Sequence, residues 1–339
     1  VWFADRNRLS SDRIKEGIMN LTQTTPFGRT GVDVTPLALG TSGWGPLRSG
    51  ESIADRDARV GALADAFFAG KLPTSYIDTS NEYGGSQSEA LIGQALARVG
   101  GLPSGQVLQT KLDRNLDTGD FSAAQMRISV EQSLDRLGVN TLQVLFLHDP
   151  DSIGFDAAMA PGGPVEALVA MKNEGIAAAI GISGGPVDLL KQFVETDLFD
   201  ALISHNRYTL VDRSADALYT AAHERNVGIN NAAPYGAGIL TGDARFAGTY
   251  GYRPILPEVQ AAVDGIAALC AEAGVSLAAA ALQFSMRDPR IHSTIIGATS
   301  LDRMDDTARE AAEDIPEELW AKFDALVPGP EFALDAPRR

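Results

Sequence analysis

Only one of the 339 residues is cysteine. A single thiol forms no disulfide within the chain, and Cys270, set in an alanine-rich helical pattern, reads as a small core residue. Basic residues are scarce as well: 28 Lys and Arg stand against 44 Asp and Glu, a formal charge of −16. Nucleic acid and anionic membranes both demand a basic surface, so neither is expected as a partner. No stretch reaches the length of a transmembrane helix and no cleavable signal peptide is visible, which predicts a soluble, cytoplasmic protein. A doubly wound open sheet would usually carry a glycine-rich fingerprint between its first strand and helix, but here Leu39 to Gly45 leads into polar loop.

What is present is a regular alternation. The length admits one barrel with insertions, and 45% hydrophobic content suffices for a large core. Short apolar runs at 36–40, 76–78, 106–111, 142–147, 177–182, 201–203, 227–233 and 293–297 read as strands. Between them, 57–70, 122–137, 165–173, 187–194, 213–225 and 258–273 read as helices, with Val60, Leu63, Ala64, Phe67 and Phe68 on one face of the first. Eight such repeats predict an α/β fold, a closed (β/α)8 TIM barrel with extra C-terminal helices. Residues 27–37 read as an N-terminal β-hairpin turning at 29–31. Residues 1–18 are charged and weakly periodic, and Met19 stands just before the regular pattern begins. They are expected to be an upstream extension without a role in the fold, leaving 19–339 as a single domain.

The chemistry gathers at strand ends. Asp78 closes the second strand, Tyr83 follows on a loop ahead of Gly84 and Gly85, Lys111 ends the third strand and His148 the fourth. In a parallel barrel these ends converge on one face, where catalytic groups collect. Taken singly, Asp78 could cap its turn and His148 could be a satisfied strand-end histidine. Four such groups together form an acid–base site.

The run Asp78, Thr79, Ser80, Tyr83, Gly84, Ser88, Glu89, Ile92 and Gly93, followed by Thr110–Lys111 and by Leu147, His148 and Asp149, resembles the signature of the aldo-keto reductases, with one residue inserted near 85–87. The resemblance extends from about residue 25 to 326 and is specific. It implies Asp78, Tyr83, Lys111 and His148 as catalytic residues, and a hairpin that closes the bottom of the barrel. It also implies NAD or NADP as cofactor, held by the segment with Pro234, Tyr235, Gly236, Gly238 and Leu240 and by Gly297, Thr299, Ser300 and Arg303 at the adenosine end. Glycine-rich backbone suits a close approach to pyrophosphate. Ser183 and either His205 or Asn206 would face the carboxamide. Departures from the family pattern are Gly184 after Ser183, no aromatic residue just before Pro234, leaving Tyr235 to stack on the nicotinamide, and Thr299 where a cation often grips the 2′-phosphate. The last favours NAD. No metal-ligand set is assigned.

Hydride transfer requires a proton to move at the attached oxygen, and a free phenol, with a pKa of about 10, is a poor base at neutral pH. Lys111 is expected to favour the Tyr83 phenolate, Asp78 to hold Lys111, and His148 to orient the substrate oxygen. Residues 204–213 and 230–234 look most like the aldose 1-dehydrogenase branch, which implies oxidation of the anomeric carbon of a free sugar of the L-fucose, D-arabinose or D-galactose type to its lactone. Asn81, Glu82, Asn206 and Arg207 would suit a polyol, and Trp44, after the first strand, is a candidate for lining the pocket or for covering the core under its loop. Alternatives are an aldehyde or ketone reductase, a pyridoxal 4-dehydrogenase, or a cofactor-binding regulatory subunit like the potassium-channel beta subunits, against which the intact tetrad speaks. A monomer or small homo-oligomer is expected.

Overall fold

The computed structural model describes residues 14, 15 and 18–337, with side chains from residue 20 onward. Eight parallel strands close into one barrel: β1 (Leu37–Gly40), β2 (Tyr76–Asp78), β3 (Val107–Leu112), β4 (Leu142–His148), β5 (Ala177–Gly184), β6 (Ala201–His205), β7 (Gly228–Ala232) and β8 (Ser293–Gly297). Each pairs with its sequence neighbours, and β8 returns to β1 through Thr294 opposite Leu37. All eight expected strands are found. β5 and β6 run two residues further than the sequence suggested, so that Ser183 and His205 end on strands.

Among the described residues, eleven helices pack outside the barrel: α1 (Ile53–Phe68), α2 (Gln87–Val99), α3 (Ala123–Leu137), α4 (Gly154–Met159), α5 (Pro164–Asn173), α6 (Val187–Val194), α7 (Asp216–Glu224), α8 (Pro257–Ala273), α9 (Leu277–Arg287), α10 (Leu301–Ala312) and α11 (Glu317–Asp324). Helix α1 starts four residues before the expected position. Ser52 and Asp55 form a reciprocal capping box that satisfies the first free amides and so supports an extra turn. The face read from the sequence is the buried one, with Val60, Leu63, Ala64 and Phe67 all at 0% exposure. Cys270 is buried on α8. No single helix among the described residues is long and apolar enough to cross a membrane.

The barrel interior is a second apolar cluster, including Val34, Ala38, Tyr76, Val144, Phe146, Ile203 and Ile295. The expected hairpin plugs its lower end: Thr25–Pro26 pairs antiparallel with Asp33–Val34, and Phe27 packs edge-on against Tyr76 and His292. The bottom is thus sealed by side chains, leaving the carboxyl ends of the strands as the open face. Most of residues 1–18 lie outside the described residues. What is described there is a two-rung antiparallel ladder between Ile14–Lys15 and Ile18–Met19.

Candidate active site

The loop after β2 is held from three sides. Thr41 donates through both its amide and its hydroxyl to the carbonyl of Asp78, Asn81 donates to the Ser129 carbonyl on α3, and Arg136 joins the Asn81 carbonyl to buried Glu89. Gly45 and Gly84 meet so closely that a Cβ on either would fall within 2.4 Å of the other's Cα, so the β1 and β2 loops can touch only with glycine on both sides. This clamp places Tyr83 over the barrel mouth.

Beneath Tyr83 lies the buried end of Lys111, 1% exposed. Its Nζ reaches Asp78 Oδ1 and Oδ2 at 2.7 and 2.9 Å, the Thr79 carbonyl at 2.7 Å and the Tyr83 hydroxyl at 3.1 Å. Gln109, two residues earlier on β3, donates to Asp78 Oδ1 at 2.7 Å. The Gln109 amide is oriented in turn by the Tyr76 hydroxyl, which donates to its Oε1. Asn230 Nδ2 lies 2.9 Å from the same Tyr76 hydroxyl. A polar chain thus runs down the barrel axis below the tetrad.

Burial of the phenol outweighs the nearby ammonium. Removal from water raises the Tyr83 pKa well above the ordinary phenol range, Lys111 pulls it down and Asp78 pushes it back up. As expected, Lys111 favours the Tyr83 phenolate, but burial outweighs it and the phenol is the preferred form at neutral pH. For Lys111 itself, burial disfavours the charge, but Asp78 and then Tyr83 more than compensate and hold it as an ammonium.

His148 ends β4, and its ring stands edge-on to Tyr83 with centroids 5.7 Å apart. Its Nδ1 lies 2.6 Å from Asp113 Oδ1. Asp113 is 8% exposed, and its other oxygen accepts from Ser80 Oγ and from the Glu82 amide. Burial of the imidazole lowers its pKa, yet Asp113 and then Asp149 raise it above the usual histidine value overall. The sequence reading missed Asp113. A signal for it existed: Leu112 pairs with Leu147, so an acid one residue past the end of β3 must stand beside a histidine one residue further along β4.

The tetrad opens into a cavity of ≈ 1270 Å³ that continues over β6, β7 and β8. Of the expected cofactor residues, Ser183, His205, Tyr235, Gly238, Gly297, Thr299, Ser300 and Arg303 line it, together with Asp78, Tyr83, Lys111 and His148. Pro234, Gly236, Leu240 and Asn206 do not face it. Leu240 and Asn206 are fully buried, and Gly236 is packed against the Tyr250 ring. Of the two positions considered for the carboxamide, His205 lines the cavity and Asn206 does not; burial lowers the His205 pKa to about 4 and keeps the ring neutral at neutral pH.

Several further expectations are corrected. Trp44 is 0% exposed and donates Nε1 to the Ala298 carbonyl at 2.8 Å, so it ties the β1 loop to the β8 loop and covers the core instead of lining the pocket. Tyr235 turns its hydroxyl to Glu310 Oε2 at 2.7 Å, with the Arg303 guanidinium 5.1 Å from its ring, and so belongs to the Arg303 end of the cavity. Asn81 is committed to α3 and Arg207 to Asp335 at 2.7 Å, and Glu82 does not line the cavity, which removes them from the polyol-binding set. Unforeseen wall residues take their place: Asp149, held at φ 47, Tyr252, and Arg48, whose Nη2 reaches Thr299 Oγ1 at 2.8 Å.

Residues 36–328 match the aldo/keto reductase family model. L-galactose dehydrogenase of Arabidopsis thaliana is 28% identical over 298 residues, covering 87% of this chain and 90% of that protein. D-threo-aldose 1-dehydrogenase of a Pseudomonas species is 30% identical over 323 residues, covering 87% and 96%. Among solved structures, the holo form of an aldo-keto reductase from Bacillus halodurans superposes with a TM-score of 0.71 at 19% identity, covering 91% of this chain and 97% of that one.

Proposed function

The chain belongs to the aldo/keto reductase family and is an NAD(P)-dependent oxidoreductase; from that premise we propose that its reaction is oxidation of C1 of a free aldose to the lactone. The observation that carries this reading is the polar wall at the reactive end, where Asp149 and Tyr252 line the cavity beside Tyr83 and His148. An aldopyranose or furanose offers a hydroxyl on nearly every carbon, and such a wall pairs with several at once. Two similar proteins are named as dehydrogenases of sugars, which supports the same substrate class.

The residues present fit a nicotinamide dinucleotide. The cavity of ≈ 1270 Å³ runs from the tetrad to Arg303, and Gly297 at the end of β8 has open space where a side chain would project. Gly238, Gly297, Thr299 and Ser300 would hold its phosphate and adenosine parts, and Ser183 and His205 its carboxamide. When bound, the nicotinamide supplies the hydride acceptor or donor.

The chain's own groups handle the proton. Asp78 keeps Lys111 charged, and Lys111 fixes the Tyr83 hydroxyl at 3.1 Å. In oxidation the reactive form is the minor Tyr83 phenolate, which Lys111 favours: it accepts the substrate hydroxyl proton as the hydride leaves C1, while His148 orients the same oxygen from the side. In the reverse direction, reduction of an aldehyde or ketone, a protonated Tyr83 is already the required acid, and this observation supports carbonyl reduction as a second reading.

For the dinucleotide, NAD is favoured. Arg303 is bound at both terminal nitrogens by Glu310, at 2.6 and 3.0 Å, so the cation on α10 that could meet a 2′-phosphate is already paired with a carboxylate. Assaying NAD and NADP against a panel of aldoses, with absorbance of the reduced cofactor as readout, tests both parts of the proposal. Turnover of one aldose with NAD supports it. Silence across the aldoses with turnover of aldehydes in the reducing direction replaces it with carbonyl reduction.

A further inference from the structure

Two cavity residues outside the tetrad, Asp149 and Tyr252, share a backbone conformation: each is held in the left-handed region, at φ 47 and φ 66, although neither is glycine. That region is costly for a residue with a side chain and persists only where the surroundings fix it. For Asp149 they do so from both sides. Its amide donates to the Ser183 carbonyl of β5 at 2.9 Å, and Pro150 follows it.

The carboxylate so placed has no work within the protein. Among the described residues neither of its oxygens accepts a hydrogen bond, although Oδ1 is buried. Such an acceptor is rare in a folded chain and points to a donor supplied from outside it. The side chain as a whole is 42% exposed, which leaves Oδ2 as the oxygen on the open side. Oδ2 lies 3.7 Å from His148 Nε2, on the ring that stands edge-on to Tyr83. An oxygen held by Tyr83 and His148 therefore has this carboxylate as its neighbour.

Tyr252 is an aromatic ring left open on a firm mount. It is 73% exposed, 6.4 Å from the His205 ring, and sits on the turn between Thr249–Tyr250 and Arg253–Pro254. Tyr250 before it is buried and donates its hydroxyl to the Asn206 carbonyl at 2.8 Å. Gly251 lies against Leu334 so closely that a Cβ would come 2.5 Å from Cδ2, and Arg253 Nη1 donates to the Leu334 carbonyl at 3.0 Å. Both flanks of the turn are pinned, and the ring is held out at the mouth. Leaving it there forgoes the stabilisation that burial would bring.

Resting on the proposed C1 oxidation, we propose that Asp149 and Tyr252 form the subsite that selects the sugar: Asp149 accepts a hydrogen bond from the hydroxyl on C2, and Tyr252 receives the C–H face of the sugar ring. With the C1 oxygen held by Tyr83 and His148, the vicinal hydroxyl is the donor nearest to Oδ2. A carboxylate is the strong acceptor for it. A sugar ring carries its hydroxyls at the rim and C–H bonds on its faces, so one carboxylate and one open aromatic ring match both parts. A substrate without a hydroxyl beside its reacting carbon leaves Asp149 unpaired against a bound molecule and is disfavoured.

The test compares substrates that differ only in that hydroxyl: L-fucose and D-galactose against their 2-deoxy forms in oxidation with NAD, and lactaldehyde against propanal in reduction with NADH. The wild type should prefer the hydroxylated member of each pair by about 10- to 10²-fold in kcat/KM. Asp149→Gly removes the carboxylate and suits the left-handed backbone, and the preference should collapse toward unity. Asp149→Asn, also tolerant of that backbone, should give an intermediate ratio and keeps the test available if the glycine variant unfolds. A role in the fold alone would lower both members of a pair alike. Tyr252→Ala should raise the sugar KM about fivefold, and Tyr252→Phe, which keeps the ring, should restore most of it. No preference in the wild type, or the same preference in Asp149→Gly, overturns the Asp149 assignment; a sugar KM unmoved in Tyr252→Ala overturns that of Tyr252. If no aldose is oxidised but lactaldehyde is preferred through Asp149, the sugar reading fails and the Asp149 subsite stands, whereas turnover of none of these compounds overturns both.

Discussion

Gln109 Nε2 donates to Asp78 Oδ1 at 2.7 Å, the same oxygen that Lys111 Nζ holds at 2.7 Å. The Asp78 carboxylate is therefore shared between an amide and an ammonium, with the amide locked by Tyr76 and Asn230 below it. Within the otherwise apolar barrel interior, this polar chain fixes the direction of Asp78 and, through it, of Lys111.

Gln109→Leu tests that chain. It strips Asp78 of one donor and leaves the Tyr76 hydroxyl without its acceptor, so stability should fall by about 1–3 kcal/mol. Displacement of the tetrad should lower kcat by up to about 10²-fold while the KM for the dinucleotide stays near that of the wild type. Denaturant unfolding and steady-state kinetics measure the two effects.

Lys111→Met leaves the 3%-exposed Asp78 without its counter-charge. An uncompensated buried carboxylate costs about 3–5 kcal/mol. Pairing it with Asp78→Asn should restore part of the lost melting temperature while activity stays absent, a separation of stability from catalysis that calorimetry and assay read independently.

The Asp113–His148 pair predicts a pH window. The His148 pKa is raised in the fold, so its contribution is complete below about pH 6.5 and is lost as pH rises through the folded value. For Asp113, burial works against the charge, but His148 and the surrounding donors lower its pKa overall, so its contribution holds above about pH 4 and is lost as pH falls through the folded value. Thermal melts of wild type and Asp113→Asn should differ most between about pH 4 and 6.5 and converge toward pH 9.

Glu310→Gln releases Arg303 from its bidentate partner while keeping an acceptor for the Tyr235 hydroxyl. The kcat/KM ratio of NADP over NAD should rise about tenfold, equivalent to about 1.4 kcal/mol. Arg48→Ala, which removes the guanidinium at Thr299, should lower the same ratio. Paired assays with the two dinucleotides measure both.

The barrel was legible because strand periodicity and glycine punctuation repeat eight times, and the tetrad because each member closes a strand or begins its loop. What escaped lay in pairings across the chain. Asp113 meets a histidine 35 residues away, Tyr235 meets Glu310 at a separation of 75, and Trp44 reaches Ala298 at 254. A loop sequence states that a residue is near the mouth; it does not state whether the side chain turns toward the cavity or the core. Trp44 turned inward because the core and the Ala298 carbonyl were waiting there, whereas Asp149 and Tyr252 face the cavity on left-handed backbone that the sequence did not announce. The Tyr83 phenol has another lesson: the pull of Lys111 toward the phenolate was legible, whereas the larger cost of burying a charged oxygen became visible only in the fold.

The central claim is that C1 of an aldose is the reacting carbon. L-Fucose, D-arabinose and D-galactose deuterated at C1 should be incubated with the protein and NAD, and the reduced cofactor analysed by NMR, with Tyr83→Phe as control. The account predicts deuterium at nicotinamide C4 with the lactone as product for at least one of these sugars, abolished in the mutant. Reduced cofactor carrying no deuterium, or none formed while aldehydes are reduced in the opposite direction, would contradict it.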